Sequence, residues 1–405
     1  MESTPLQQNL FDDFDSLEIE IMGIPFLVRA QRALTNGTNP RPCAVWIHYY
    51  GGGLTTGDPD SPCFLSPYFR KLFAGNTLMI CLKYRLLPEH CGRDIQEDIP
   101  VLSRLILSGS MEGYIKSMFP LMKAPFQEEL FVSGDSAGGH LAMYTWLRCP
   151  SLPIRAILFE NGMFTPYARP SGQAYRGTVP SNETLRELAA LMLEEAADRR
   201  LQGCQQRSRI PPDHMGNLPI TATRVHCVIN DSEVQMVSPW YLLFRSWSAS
   251  AMLRYSLEEG VKYAMEVPVR PTNPPALELD TEKLAARLGP ERLKALGLGY
   301  LPRDHAFHIA MLPPAIARPL NCPHMYFMHG KNDKNCPIGY TDDVVDMIET
   351  AFPGAVRQYW TPEEEHGFAH NMEHPILHDM AIGIKADMGW ITAYEALAIP
   401  NIPGI

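Results

Sequence analysis

Ser136 stands in FVSGDSAGGHLAMY, a GxSxG pattern that follows an apolar run of strand length and precedes a helical pattern. A strand that turns this sharply into a helix leaves no room for Cβ atoms beside the serine, which accounts for Gly134 and Gly138. It also holds the hydroxyl exposed at the helix start, as a nucleophile requires. Upstream, AVWIHYYGGGLTTGD ends a strand-like run with Gly51, Gly52 and Gly53. Such a loop turns backbone N–H groups toward a developing alkoxide, and we assign Gly51 and Gly52 as donors together with the N–H of Ala137. A phosphate loop is the competing reading of the glycines, but its Lys and Ser/Thr are missing after them. His366, in TPEEEHGFAH, supplies a general base, and Asp333, following HMYFMHG, an acid to orient it. Asp342 and Asp343 are rivals for the acid, in a stretch that reads as an amphipathic helix and so as a solvated face.

The histidines allow a second chemistry. His366, His370, His374 and His378 recur every four residues, a spacing that would stack imidazoles on one helix face as metal ligands. Pro375 would break or begin a helix inside that run, and no carboxylate-rich ligand set accompanies it. We therefore expect no metal, and no other cofactor.

These residues need elements to position them. EIEIMGIPFLVR alternates around Gly23 and predicts a hairpin, and strand-length runs recur at CAVWIHYY, TLMICLKY, LFVSG, IRAILFENG and HMYFMHG. Helical stretches such as DIQEDIPVLSRLILSG and AGGHLAMYTWLR lie between them, the alternation of a mostly parallel, doubly wound sheet. From about 165 to about 320 the pattern gives way to Pro-rich connections and amphipathic helices, including TLRELAALMLEEAADRRLQ, where Thr184 and Glu187 have capping-box spacing, and TEKLAARLG. The strand pattern then resumes. The expected organisation is an α/β domain in two parts, residues 1–165 and 321–405, with residues 166–320 inserted after the sixth strand as a cap. Apolar segments such as MVSPWYLLFRSW could line a pocket there, or form only the cap's own core.

In order along the chain, YGGGLTTG, YRLLPEH, GDSAGGHLA, HGKNDKNCP and EHGF resemble the segments of the hormone-sensitive-lipase-like family of α/β-hydrolases, over about residues 40–165 and 320–370. The resemblance implies an α/β-hydrolase fold and a serine carboxylesterase whose triad runs Ser136, Asp333, His366 in chain order. Two departures stand out. Tyr50 replaces the family's leading histidine, with His48 two residues earlier, so the glycine loop must be braced differently; and Asp333-Lys334 replaces the usual Asp-Pro step. The Tyr84–Glu89 segment reads as structural, with Arg85 and Glu89 bracing a loop. The expected substrate is a medium-sized apolar ester or thioester, and the long cap resembles that of fungal relatives acting on polyketides and other secondary metabolites. A lyase or cyclase, or a receptor like the gibberellin receptors of this family, is the alternative; those receptors lack the histidine present here as His366.

The 405 residues are 45% hydrophobic and 20% charged, ample for a sizeable core. The net charge of −10 and the absence of a basic block argue against nucleic acid as a partner. MESTPLQQNLFDDFDSLE has no basic start or apolar run, and no stretch is long and apolar enough for a membrane span, so a cytoplasmic protein is expected. Nine scattered cysteines without a CxxC pair are expected to be reduced and mostly buried. The oligomeric state, a homodimer included, is left open.

Overall fold

A computed structural model of the chain describes residues 14–38, 44–52, 58–59, 77–85, 92–122, 130–164, 281–295, 322–333, 336, 338–367 and 375–389, with a few isolated positions between 194 and 236. The strands are β1 (Phe14–Ile21), β2 (Ile24–Gln31), β3 (Ala44–Tyr49), β4 (Thr77–Leu82), β5 (Leu130–Asp135) and β6 (Ile154–Glu160). Two short ones, β7 (Val225–His226) and β8 (Gln235–Met236), precede β9 (His324–Gly330) and β10 (Val356–Thr361). The helices are α1 (Arg32–Thr35), α2 (Gly92–Leu107), α3 (Ser110–Met118), α4 (Ala137–Arg148), α5 (Thr281–Ala295), α6 (Ile338–Ala351) and α7 (Pro375–Asp387).

Eight strands form one sheet in the order β1-β2-β4-β3-β5-β6-β9-β10. β1 and β2 pair antiparallel through the expected hairpin, where Met22 (φ 56°) and Gly23 (φ 73°) both take the left-handed backbone of a tight two-residue turn. β2 meets β4 antiparallel, and every later pair is parallel. This is the mixed, mostly parallel sheet of the α/β-hydrolase fold.

The near-continuous apolar runs arise because the central strands are covered on both faces. Val45, Ile47, Leu78, Ile80, Val132, Ile157 and Phe327 point to one side, where they pack with buried residues of α2, α3, α4 and α6. Trp46, Met79, Cys81, Phe131, Leu158 and Tyr326 point to the other, against Leu377, Met380, Ala381 and Ile384 of α7. Each fully buried side chain of this kind contributes roughly 1.5–3 kcal/mol. Residues 137–147 of α4 are all buried, so this helix is apolar nearly all round, as a central helix must be.

The chain leaves the sheet after β6 and returns at β9, the strand beside it. Within that excursion α5 forms where a helical stretch is expected, kinked at Gly289 (φ 73°) and Pro290. Arg287 and Arg292 of α5 pair with Glu194 and Asp198, at 2.9 Å and 2.7 Å. Most of residues 165–320, including nearly all of the stretch from Thr184 and the apolar segment from Met236, lies outside the described residues. Among the described residues no helix is long and apolar enough to cross a membrane.

Candidate active site

Neighbours of β3 follow the chain in opposite directions, β4 on one side and β5 on the other. At such a switch point the loops after adjacent strands diverge and leave a crevice at the strands' carboxyl ends. The glycine loop follows β3 and Ser136 follows β5, and the two strand ends are in register, Tyr49 opposite Gly134.

Ser136 sits between β5 and α4 with φ 50° and ψ −115°, a conformation that costs a non-glycine residue roughly 1–3 kcal/mol. Its surroundings hold it there. The Ser136 N–H donates to the Glu160 carbonyl at 2.8 Å, and the Ser136 carbonyl accepts from the N–H groups of Gly139 and Met163 at 3.0 and 2.9 Å. A Cβ on Gly134 would overlap the Gly138 carbonyl, and one on Gly138 would overlap the carbonyls of Tyr49 and Tyr50. The two flanking glycines thus let strand, helix and glycine loop approach to backbone contact.

Gly51 is buried and Gly52 takes φ 106°, a left-handed conformation open to glycine. Gly53 lies outside the described residues. Ala137 is buried at the first turn of α4. The bracing that a histidine would supply comes from a tyrosine pair. Tyr50 and Tyr84 stack with centroids 4.3 Å apart; the Tyr84 hydroxyl donates to the Tyr50 carbonyl at 2.8 Å, and the Tyr50 hydroxyl to the Tyr84 carbonyl at 3.3 Å. Burial pushes the Tyr84 phenol well above its ordinary range, so it remains a donor. His48 is committed elsewhere: its Nδ1 lies 2.8 Å from Ser133 Oγ, on the sheet face it shares with Trp46. Arg85 braces the segment after β4 as expected, its backbone N–H and its Nε both bonded to buried Asp98 at 2.9 Å, Tyr84 braces the glycine loop, and Glu89 lies outside the described residues.

Removing only the Tyr84 hydroxyl takes a hydrogen bond from the Tyr50 carbonyl and a 3.3 Å contact from the Gly51 carbonyl, a cost of about 0.5–1.5 kcal/mol at the base of the glycine loop. Tyr84→Phe is expected to lower kcat about two- to tenfold while KM for a short ester changes little; an unchanged kcat would show that the loop is braced by other means.

Asp333 and His366 come from the loops after β9 and β10. His366 Nδ1 lies 2.7 Å from Asp333 Oδ2. Asp333 is buried, its Oδ1 accepts the Cys336 N–H at 2.8 Å, and His329 Nε2 lies 3.2 Å from its Oδ2. Burial alone would raise its pKa, but His366, His329 and the Cys336 N–H outweigh that and hold the carboxyl well below the usual range. Burial likewise opposes charge on His366, yet the neighbouring Asp333 carboxylate, followed by Cys336, raises its pKa well above the ordinary histidine value. Asp342 and Asp343 lie on α6, half-buried, and Asp333 is the carboxylate that holds the histidine. The four-residue histidine repeat does not form one helix face: residues 362–367 are not helical, His378 lies within α7, which begins at Pro375, and His370 and His374 fall outside the described residues.

Three further residues complete the geometry. Asn161, at φ 46° after β6, accepts the Gly330 N–H at 3.1 Å and so ties the end of β6 to the end of β9. His329 is fully buried, its Nε2 2.6 Å from the Cys336 carbonyl and its Nδ1 3.1 Å from Thr341 Oγ1. Cys336 puts its thiol beside both the serine and the histidine, with Sγ 4.0 Å from Ser136 Oγ and within 4.8 Å of a ring nitrogen of His366. Its position three residues after an aspartate whose side chain accepts its N–H is the one sequence sign of this placement. Among the described residues, Cys81, Cys149, Cys322 and Cys336 take part in no disulfide.

Residues 45–221 match a protein family described as having the alpha/beta hydrolase fold. A "Probable carboxylesterase 3" of Arabidopsis thaliana is 28% identical over 123 residues, 30% of this chain and 36% of the relative. The chain thus spans about a third of the length of that relative. Among solved structures, the esterase B of Lactobacillus rhamnosis, in an inhibited form, is 14% identical with a TM-score of 0.45, over 96% of this chain and 90% of that one. An esterase of Pyrobaculum calidifontis is 13% identical with a TM-score of 0.43, over 96% and 87% of the two chains.

Proposed function

We propose that this chain is a carboxylesterase-like serine hydrolase that cleaves a carboxylic ester or thioester of a medium-sized apolar molecule through an acyl-enzyme, a reading supported by the matching family and the similar carboxylesterase. The observation that carries this reading is the strained Ser136 at the switch point of the sheet, with the Asp333–His366 pair in the same crevice. In the proposed mechanism the His366 Nδ1–H donates to Asp333, which leaves Nε2 free to take the Ser136 proton as Oγ attacks the acyl carbonyl. The N–H groups of Gly51, Gly52 and Ala137 then hold the oxyanion. Donors of this kind are worth roughly 3–4 kcal/mol each. Protonated His366 passes its proton to the leaving oxygen or sulfur, and water repeats the sequence to release the acid. Before attack, Ser136 Oγ exchanges its contact with the Cys336 thiol for a direct one with His366; catalytic hydrogen bonds often tighten only when substrate is bound. Residues 166–320, as a cap over the crevice, would shape the acyl pocket.

Hydrolysis of p-nitrophenyl esters of increasing acyl length tests the substrate class. Turnover that peaks at a medium chain and falls beyond it supports a closed apolar pocket, and a folded protein inactive on every ester would sink the proposal.

The titration of His366 gives a separate prediction. Only the neutral ring can accept the serine proton, and Asp333 favours the charged form, so activity is lost as pH falls through the raised His366 pKa. The acid limb of kcat/KM is expected to have its midpoint above about 6.5, the ordinary histidine value. A midpoint below it in a pH–rate profile would contradict the assignment of His366 as a base paired with an ionised Asp333.

A further inference from the structure

Cys336 has no part in the acyl-transfer chemistry, yet its thiol is held where that chemistry is proposed to occur. Its backbone is fixed on both sides: the N–H bonds to Asp333 and the carbonyl lies 2.6 Å from His329 Nε2. The side chain is thereby turned back on the crevice, 4.0 Å from Ser136 Oγ and beside the His366 ring. Since Nδ1 of His366 is taken by Asp333, the nitrogen left to face the thiol is Nε2. One ligand atom from each of Asp333, Cys336 and His366 lies within 4.8 Å of the others.

Tetrahedral zinc, with bonds of about 2.0–2.3 Å, places neighbouring ligand atoms roughly 3.3–3.8 Å apart, so only a small closing movement is needed. The Asp333–His366 hydrogen bond already supplies the carboxylate–histidine arrangement that orients an imidazole toward a metal and raises its basicity.

We propose that Cys336 and His366, with Asp333 behind the histidine and Ser136 beside the thiol, form a site for a thiophilic divalent metal ion such as Zn²⁺, whose binding blocks the nucleophile. The Cys336 Sγ–H bond breaks, the proton leaves to solvent, and the sulfur and the His366 Nε2 lone pair form the two metal bonds; Ser136 Oγ or water fills the remaining positions. Ions that prefer oxygen, such as Mg²⁺ and Ca²⁺, are excluded by the ligand types. The ion site rests on this geometry alone, whereas arrest of hydrolysis rests also on the proposed function.

The test uses the purified, metal-free full chain. One equivalent of Co²⁺ is expected to give a thiolate-to-metal charge-transfer band that disappears in Cys336→Ser, and Zn²⁺ affinity, read by competition with a chromophoric chelator, is expected to fall at least about 100-fold in Cys336→Ser and His366→Ala. Mg²⁺ competes in neither assay. Circular dichroism checks folding, Cys336→Ala repeats the comparison, and protection of Cys336 from maleimide labelling by Zn²⁺ in the wild type requires no variant. Ser136→Ala is expected to keep the band while losing turnover, which separates the metal site from the hydrolase reading. A folded wild type without the band, or a band that persists in both Cys336 variants, would overturn the proposal even if ester turnover were intact.

Discussion

Ser136→Ala is expected to lower kcat on a p-nitrophenyl ester about 10⁶-fold, leaving a residual rate that owes only to the oxyanion donors and binding. The magnitude follows from removing the atom that forms the acyl-enzyme, for which no other group occupies the elbow. Alanine keeps the Cβ and removes a hydroxyl whose described side-chain contact is the Cys336 thiol, so the fold should survive and the loss should be chemical. KM should change much less than kcat. Because Cys336 stands beside His366, slow residual turnover that disappears in Ser136→Ala/Cys336→Ala would identify the thiol as a substitute nucleophile. A Ser136→Ala variant of near wild-type activity would remove Ser136 from the mechanism.

Asp333→Asn is expected to cost about 10⁴ in kcat. The carboxylate accepts the His366 Nδ1–H, which fixes the tautomer that leaves Nε2 unprotonated. A carboxamide that turns its NH₂ toward His366 stabilises the opposite tautomer, with Nε2 protonated and unable to act as a base. The same substitution deletes the charge that raises the His366 pKa, so the acid limb of the residual activity should move to lower pH. Two contacts make the site sensitive to this change, because Asp333 also accepts the Cys336 N–H and lies 3.2 Å from His329 Nε2. A matched substitution at Asp342 or Asp343 on α6 should alter kcat little.

The parts of the fold legible in the sequence are those governed by local pattern. Strands covered on both faces read as apolar runs, as at Val45–Ile47 and Leu130–Val132, and the Met22-Gly23 turn separates the alternating β1 from β2, which is buried on both faces. The elbow is legible in part because Gly134 is required by a contact that closes within a few residues, against Gly138, whereas Gly138 itself is required by the distant carbonyls of Tyr49 and Tyr50. Asp333 and His366 are legible from their order after strands and their resemblance to a family, although the 2.7 Å contact between them depends on β9 and β10 being neighbours. Longer-range placement is not. The Tyr50–Tyr84 brace joins residues after β3 and after β4, and nothing local to either tyrosine marks the pair. Cys336 reads as one buried cysteine among nine until the turn from Asp333 is seen to carry its thiol back to Ser136. Asn161 and His329 act through side chains that cross between loops and have no spacing rule. The helix at Ser110–Met118 carries an apolar period at Met111, Tyr114, Ile115 and Met118, but its start at Gly109 (φ 74°) has no side-chain cap to announce it.

The central claim is that Ser136 is a nucleophile activated by the Asp333–His366 pair. The most direct measurement is reaction of the purified chain with a fluorophosphonate, followed by intact mass and peptide mapping, for the wild type, Ser136→Ala and His366→Ala. One phosphonyl group on Ser136 in the wild type, none in Ser136→Ala and labelling slowed by orders of magnitude in His366→Ala is the result expected of an activated serine. A folded wild type that remains unlabelled, or a label mapped to a residue other than Ser136, would contradict it.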